Sequence, residues 1–279
     1  MMFKLLILLF LTFPLFTSER IIALSPAINE ILFALGVGEQ VVGNTDHCTY
    51  PKASLKVTKL GGYADPSLER VLALQPTLVI LQQHNYRLAS RLKQLNIPTK
   101  IIKIDSLVNI NKAIIDIGKM VHAEKEAEEI SSKIDKALIS IQNIVQNKKI
   151  MIVFGHNTQL VKRIFVAGKN LYFNDIIQHS GNKNAFSSQK MSQPILNMEN
   201  IIASDPDIVI LLAHSMERFN VDATSVTKPW KQLPISAAKS DSIYIIDKQY
   251  SGIPSDRLVY FLQDFKRILN DYKQKTTAP

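Results

Sequence analysis

Hydrophobic and polar positions follow two periodicities along this chain. Residues 20–24 (RIIAL) form a short apolar run of β-forming residues, which predicts a buried strand. Ser25 and Pro26 then supply a capping hydroxyl and a proline at the first helical position, and apolar residues recur at helical spacing up to Gly36. The pattern predicts a strand, a tight turn and a helix.

The same order of strand and helix recurs in residues 19–105 and again in residues 149–279. Further strands are predicted at residues 41–42, 77–81, 99–104, 149–154, 208–212 and 242–247. Further helices are predicted at residues 67–74, 87–95, 170–178, 199–204 and 255–269. Because strands that alternate with helices favour a parallel sheet, we expect two Rossmann-like α/β lobes with parallel central sheets.

A helical segment, residues 106–148, separates the two lobes. It contains no proline and only one glycine, Gly118. Apolar residues from Ile130 to Val145 recur every three or four positions, which indicates one buried stripe on a helix. A single rigid helix over residues 124–146 would span about 34 Å and would join the lobes. A coiled-coil dimer helix is the alternative, but the stripe is short, so we expect a monomer.

The first 18 residues have the layout of a secretory signal peptide. Lys4 precedes an apolar run over residues 5–16, and small hydroxylated residues end it at Ser18. The run is too short to span about 30 Å of hydrocarbon. The mature chain is therefore expected to begin near Glu19, in the periplasm. Because Cys48 does not follow the apolar run directly, a free protein is favoured over a lipoprotein.

Composition and charge narrow the class of partner. With 46% hydrophobic and 20% charged residues, the chain has enough apolar surface for packed cores. The formal charge of +9 falls to about +8 when Lys4 leaves with the leader. Basic residues such as Arg257 are scattered rather than clustered, which disfavours nucleic acid as the partner. An anionic ligand is favoured, and a merely solvated basic surface is the alternative.

The two lobes repeat each other in sequence. Residues 68–81 read LERVLALQPTLVIL and residues 198–211 read MENIIASDPDIVIL, at a constant offset of 130. The same offset relates His84 to His214. Ligands of open parallel sheets bind at the carboxyl ends of the strands, so we expect these two histidines to approach one ligand from opposite sides. Solvated loop histidines are the alternative interpretation.

Other residues at strand ends suggest metal chemistry. His47 and His156 also follow predicted strands, whereas His122 and His179 lie within or at the end of helical stretches, where a structural role is expected. Histidine is the commonest protein ligand of borderline metals and also donates to anions. Tyrosines, whose phenolates suit ferric iron, lie in predicted loops or at element ends: Tyr63, Tyr86, Tyr172 and Tyr250.

Several segments resemble one known family. They are residues 21–51, residues 60–80 (LGGYADPSLERVLALQPTLVI), residues 197–212, the PW and LP pairs within residues 229–234, and the closing SIYIID. These segments are similar to the helical-backbone periplasmic binding proteins for cobalamin, haem and ferric siderophores. The resemblance implies two Rossmann-like lobes, no intrinsic cofactor and delivery of the ligand to an ABC permease dimer. Glu69 and Glu199 match the two permease-docking glutamates. Each also lies in a first helical turn, where a carboxylate stabilises the helix by about 0.3–1 kcal/mol.

The resemblance also suggests the ligand. Tyr63 matches the axial tyrosine of haem-binding relatives and the corrin-packing aromatic of the cobalamin protein. Gln82 and Gln193 stand where the cobalamin protein has tryptophan, and Trp230 falls in the structural PW segment. Tyr250 suits a tyrosine of the siderophore relatives. The expected ligand is an iron or cobalt chelate, with a ferric siderophore or haem ahead of a corrinoid. The expected ligand-binding residues are Tyr63, His84, His156, His214, Tyr250 and Arg257, with His84 and His214 as the metal ligands.

Two other classes of function stay open. A receptor for a bare or small-ligand-complexed divalent metal (nickel, cobalt, zinc or manganese) would use a closed shell of His47, His84, His156 and Asp256. A metal-dependent enzyme is more remote. The chain has no GxSxG, no phosphate-binding GxxxxGK[ST] and no GxGxxG after the first strand. We therefore expect a binding protein rather than an enzyme.

Overall fold

The first lobe is built on a parallel sheet. The computed structural model describes residues 19–161, 163–186, 191–214 and 216–277, so the predicted signal peptide lies outside the described residues. The strands are β1 (Ile21–Ala23), β2 (Val41–Asn44), β3 (Thr58–Lys59), β4 (Leu78–Gln82) and β5 (Thr99–Ile102). They lie in the order β3-β2-β1-β4-β5 with every pairing parallel. Three helices accompany them: α1 (Pro26–Ala34), α2 (Leu68–Ala73) and α3 (Tyr86–Gln94).

Helix α1 begins where the sequence predicts it. The Ser25 side chain accepts a hydrogen bond from the Ile28 amide at 3.2 Å, and Pro26 occupies the first turn. Gly36 follows at φ +82°, in the left-handed region that glycine adopts without steric cost. The capping residues thus fix both ends of the first crossover helix.

The helical segment is a pair of helices and not one long helix. Helix α4 (Leu107–Met120) packs against α5 (Glu124–Ile139). A β-carbon on Gly118 would meet the Ala127 side chain at 2.4 Å, so the glycine permits this close approach. Helix α5 ends at Ile139. The chain then passes through turns and reaches φ +58° at Asn143, which a continuous helix does not allow. Its 16 residues span about 24 Å, less than the predicted length.

The second lobe has a mixed sheet. Its strands are β6 (Lys149–Phe154), β7 (Ile164–Val166), β8 (Lys183–Asn184), β9 (Ile195–Leu196), β10 (Ile208–Leu212) and β11 (Ile243–Ile246). The order is β11-β10-β6-β7-β9, with β8 beside β6. Strands β6, β8, β10 and β11 pair in parallel, whereas β7 pairs antiparallel with both of its neighbours. The helices are α6 (Tyr172–His179), α7 (Met198–Ser204), α8 (Ala223–Lys231), α9 (Ser236–Lys239) and α10 (Leu258–Thr277).

The sequence repeat is a structural repeat. Helix α2 and strand β4 correspond to helix α7 and strand β10 at the same offset of 130. The register repeats as well, because Val79 pairs with Thr99 of β5 and Val209 pairs with Ile243 of β11. Each repeated strand therefore lies between the first and the last strand of its lobe.

Three apolar clusters hold the fold together. A central cluster joins the inner sheet faces of both lobes to α4, α5 and α10. Two outer clusters cover the opposite faces, one in lobe 1 and one in lobe 2, where Trp230 is fully buried. Among the described residues, no helix has both the length and the apolar character needed to cross a membrane. The shared central core joins the lobes directly.

Candidate functional site

A cavity of about 490 Å³ lies between the two lobes, within the size range of small-molecule sites. Lobe 1 supplies most of its lining from loops at the carboxyl ends of its strands. Lobe 2 supplies two short segments. The lining residues are Pro26, Ala27, His47, Tyr63, Gln82, Gln83, His84, Ile102, Lys103, Ile104, Asp105, Leu171, Tyr172, Gly252, Ile253 and Pro254. The chain order of lobe 1 reverses between β1 and β4, and ligands of such sheets bind at this point.

Tyr63 belongs to the lobe 1 lining of the cavity. Its O–H donates to Gln82 Oε1 at 2.8 Å, and its ring centroid lies 4.3 Å from that of His84. The buried Asn85 donates from Nδ2 to the Tyr63 carbonyl at 3.2 Å and lies 3.0 Å from His84 Nε2. Burial raises the pKa of Tyr63 to about 12. Tyr63 is therefore a neutral phenol at physiological pH, held by the loops after β3 and β4.

The Tyr63 loop depends on one glycine. Gly61 has φ +107° and forms an isolated bridge with Pro66, which closes the loop immediately before α2. Residues with a side chain rarely adopt this conformation. The LGGY segment thus brings the tyrosine ring back over the end of β4.

Charged and polar side chains contribute to the lining of the cavity. His47, His84, Lys103 and Asp105 are all exposed at its lining. Apolar residues also line the cavity, among them the buried Ile102. This mixed lining suits a ligand that combines apolar surface with polar groups.

Four predicted ligand residues do not line this cavity. His214 is exposed, because the chain turns after β10 and buries Met216 in the outer core of lobe 2. His156 stacks on Phe219 with ring centroids 4.6 Å apart. Tyr250 donates its O–H to Asp264 Oδ2 at 2.7 Å. Their contact with a ligand stays a prediction.

Arg257 is the fourth of these residues, and it is buried. Its guanidinium binds the carboxylate of Glu30 in α1, with 3.0 Å from Nε to Oε2. The Arg257 Cζ atom also lies 3.8 Å from the centroid of the Tyr50 ring. The arginine expected to meet an anionic ligand is therefore paired with a carboxylate of the other lobe.

The closed metal shell proposed for a divalent-metal receptor does not form. His47 and His84 line the cavity, but His156 and Asp256 do not. In the part of the chain that the structure describes, no group of three or more His, Cys, Asp and Glu side chains is placed to hold a metal ion. The cavity presents Tyr63 and histidine side chains beside apolar walls instead.

Glu69 and Glu199 occupy equivalent positions. Each is exposed in the first turn of its helix, after a capping residue. Ser67 caps α2 by accepting from the Arg70 amide at 3.3 Å, and Asn197 caps α7 by accepting from the Asn200 amide at 2.9 Å. Neither carboxylate is needed for the cap, so both are free to contact a partner.

Residues 21–250 match the family model described as periplasmic binding protein. The chain belongs to this family. The match confirms the resemblance seen in the sequence, and a match of this extent covers both lobes. The family implies a small-molecule ligand and a membrane permease as partner.

The similar proteins include vitamin B12-binding and haem-binding proteins. The vitamin B12-binding protein of Vibrio parahaemolyticus is 24% identical over 242 residues, which cover 86% of this chain and 85% of that protein. The vitamin B12-binding protein of Vibrio cholerae has a TM-score of 0.78 at 18% identity, over 92% of this chain and 98% of that one. The haem-binding protein of Roseiflexus sp. RS-1, in its apo form, has a TM-score of 0.75 at 23% identity, over 92% of this chain and 100% of that one. These structures confirm the two-lobed α/β fold. The named relatives are binding proteins and not enzymes.

Sequence reasoning missed part of the cavity. Lys103 and Asp105 follow β5, which ends at Ile102 and not at residue 104 as predicted, so the strand-end rule would have found both with the observed strand end. Leu171 and the 252–254 segment carry no such signal, and Tyr172 was indicated only as a tyrosine at an element end. They reach the cavity only because lobe 2 packs against lobe 1 in one orientation.

Proposed function

We propose that this protein captures a metal chelate in the cleft between its lobes and delivers it to an ABC permease. The chelate is a ferric siderophore or haem, with a corrinoid as the second candidate. Among these, the cleft favours haem. The proposal rests above all on the Tyr63 ring, which lines the cavity beside His84 together with apolar residues.

The apolar lining favours a planar tetrapyrrole. Aromatic and aliphatic walls gain free energy by covering the faces of such a ring. Haem adds anionic carboxylates, which the Lys103 ammonium in the lining would attract. A corrinoid also has an apolar face, and two of the similar proteins described above bind vitamin B12.

Tyr63 would be the iron ligand in a haem complex. A phenolate oxygen suits ferric iron, but the pKa of Tyr63 near 12 keeps the free phenol protonated. Coordination would therefore release one proton. The dissociation constant of haemin should then fall about tenfold for each unit of rising pH. A dissociation constant that does not change with pH would mean that Tyr63 packs against the haem without binding its iron.

The family and the predicted leader support a periplasmic role for the mature protein. Residues 1–18 would direct export and be removed, and the mature protein would act in the periplasm. Glu69 and Glu199 would dock the permease, one from each lobe.

The test is to record the absorption spectrum and metal content of the protein purified from its native periplasm with its ligand bound. A Soret band with stoichiometric iron would establish haem. A corrin band with cobalt would establish a corrinoid, and a charge-transfer band with iron would establish a siderophore. Titration of the empty protein with haemin, cyanocobalamin and ferric siderophores must give the same ranking. Binding of free zinc or nickel without any organic chelate would overturn the proposal.

A further inference from the structure

We infer that Glu30 and Arg257 form a buried clamp between the lobes that sets the width of the cleft, so that both act as positioning residues for the ligand. The inference rests on the cleft being the binding site, as proposed above. It goes further, because it assigns to two side chains outside the cavity lining the control of the cavity's shape.

The clamp joins residues far apart in the chain. Arg257 Nε donates to Glu30 Oε2 at 3.0 Å, and Nη2 donates to the other carboxylate oxygen. Ser255 Oγ donates to Oε2 of the same carboxylate at 2.5 Å. The bidentate geometry fixes direction as well as distance. Two planar groups from different lobes thus have one preferred mutual orientation.

The surroundings make the clamp rigid. Glu30 is 3% exposed and Arg257 is 5% exposed, so water does not screen the pair. The Tyr50 ring of lobe 1 packs on the guanidinium, with its centroid 3.8 Å from Cζ. Nearby, Gln249 Nε2 donates to Thr49 Oγ1 at 2.5 Å, a second bond between the lobes.

The clamp residues lie close in the chain to both walls of the cavity. Pro26 and Ala27 line the cavity in the first turn of α1, and Glu30 lies in the next turn. On the other side, residues 252–254 line the cavity, and Ser255 and Arg257 follow in the chain. A change in the clamp would therefore move the two walls relative to each other.

A purely stabilising role and a positioning role of the ion pair predict different results when both side chains are replaced by apolar ones. Such a replacement of a buried pair is often neutral for stability, because the desolvation cost disappears with the charges. Apolar groups, however, have no directional bond. The double variant Glu30→Leu with Arg257→Met should therefore stay folded and lose the fixed orientation of the lobes.

The experiment measures the distance between the lobes in the full mature chain without ligand. Spin labels at Lys93→Cys on α3 and Lys228→Cys on α8 report it, because both lysines are exposed and the single native thiol, Cys48, is buried. We expect the distance distribution to broaden in the double variant. The control is Lys231→Gln, which breaks the exposed pair with Asp241 within lobe 2 and should keep the original distribution.

A haemin titration of the same proteins supplies the second measurement. We expect affinity at least about tenfold weaker in the double variant, a change of roughly 1.4 kcal/mol, and no change in the control. An unaltered distance distribution in a folded double variant would overturn the clamp. If the wild type fails to bind haemin, the proposed ligand fails, while the distances still decide the clamp.

Should the double variant not fold, Ser255→Ala serves instead. It removes one hydrogen bond to Glu30 and keeps the ion pair. A smaller broadening is then expected, and a distribution identical to the wild type would count against the clamp.

Discussion

The ends of β4 and β10 are equivalent in the repeat but differ in what surrounds them. After β4 the chain forms a short turn of 3₁₀ helix that carries His84 to the cavity, beside Tyr63. After β10 the chain turns toward the outer core and leaves His214 exposed. The repeat thus preserves the strand, its helix and its register, whereas the loop beyond the strand has diverged. Equivalence in a repeat predicts backbone position better than it predicts contact with a ligand.

The largest expected effect tests the function that the two lobes share. Exchange of both Glu69 and Glu199 for Gln should abolish uptake of the ligand by whole cells, because each lobe would lose its docking charge. Affinity for haemin should stay within about twofold, since exposed charges contribute little to a distant site. Uptake assays beside titrations of the purified variant check this. Uptake at the wild-type rate would show that neither glutamate is needed for docking.

The next effect should appear in lobe 1 alone. Tyr63→Ala should weaken haemin binding about thirtyfold, or roughly 2 kcal/mol, since an aromatic surface and its stacking are lost. Tyr250→Phe is the lobe 2 control, because it removes only the bond to Asp264 outside the cavity. Absorbance titrations of both variants measure the difference. Equal losses would mean that lobe 2 contributes a tyrosine to the ligand after all.

The ionisation of Asp256, two residues after the lobe 2 lining segment 252–254, should affect the free energy of unfolding. Burial raises the pKa of Asp256 to about 6, and the nearby Glu30 adds to the rise while Arg257 opposes it. Between pH 3.8, the ordinary pKa of an aspartate, and about pH 6, the folded state therefore keeps a proton on Asp256 that the unfolded state has lost. Stability from this group is present at low pH and is lost as the pH rises to 6.

Asp256→Asn should remove this loss. Its free energy of unfolding should exceed that of the wild type by about 1–3 kcal/mol at pH 7.5, with little difference near pH 4. Urea denaturation at both pH values measures it. Burial also raises the pKa of Glu30, so a residual slope in the same direction is expected in the variant. A variant less stable at pH 7.5 would show that the Asp256 carboxylate has a partner when charged.

The smallest effect tests the comparison most directly. His84→Ala should weaken haemin binding about tenfold, or roughly 1.4 kcal/mol, whereas His214→Ala should change it by less than about twofold. The double variant should then equal the sum of the two, since distant residues act independently. Calorimetry on the three proteins decides this. A clear departure from additivity would mean that both histidines contact the ligand, as the repeat alone suggests.

Local sequence patterns predicted much of the fold. β6 and β10 begin and end where the apolar runs do, and Ser25, Pro26 and Gly36 fix the limits of the first helix. The repeat predicted two related units, and the quoted segments indicated the family that the comparison confirms. These features depend on spacing and capping within a few residues, which a sequence displays directly.

Other features depended on residues distant in the sequence. Nothing near Arg257 indicates that Glu30, 227 positions away, neutralises it. The predicted long helix ends early at Ile139, and the lobe 2 wall uses segments without a strand-end signal. Burial and the identity of a charged partner are set by packing between lobes. Spacing along the chain was enough to predict most elements, their order and the family. Which strand-end loops meet at the cleft, and which charges pair between the lobes, depends on how the lobes pack against each other.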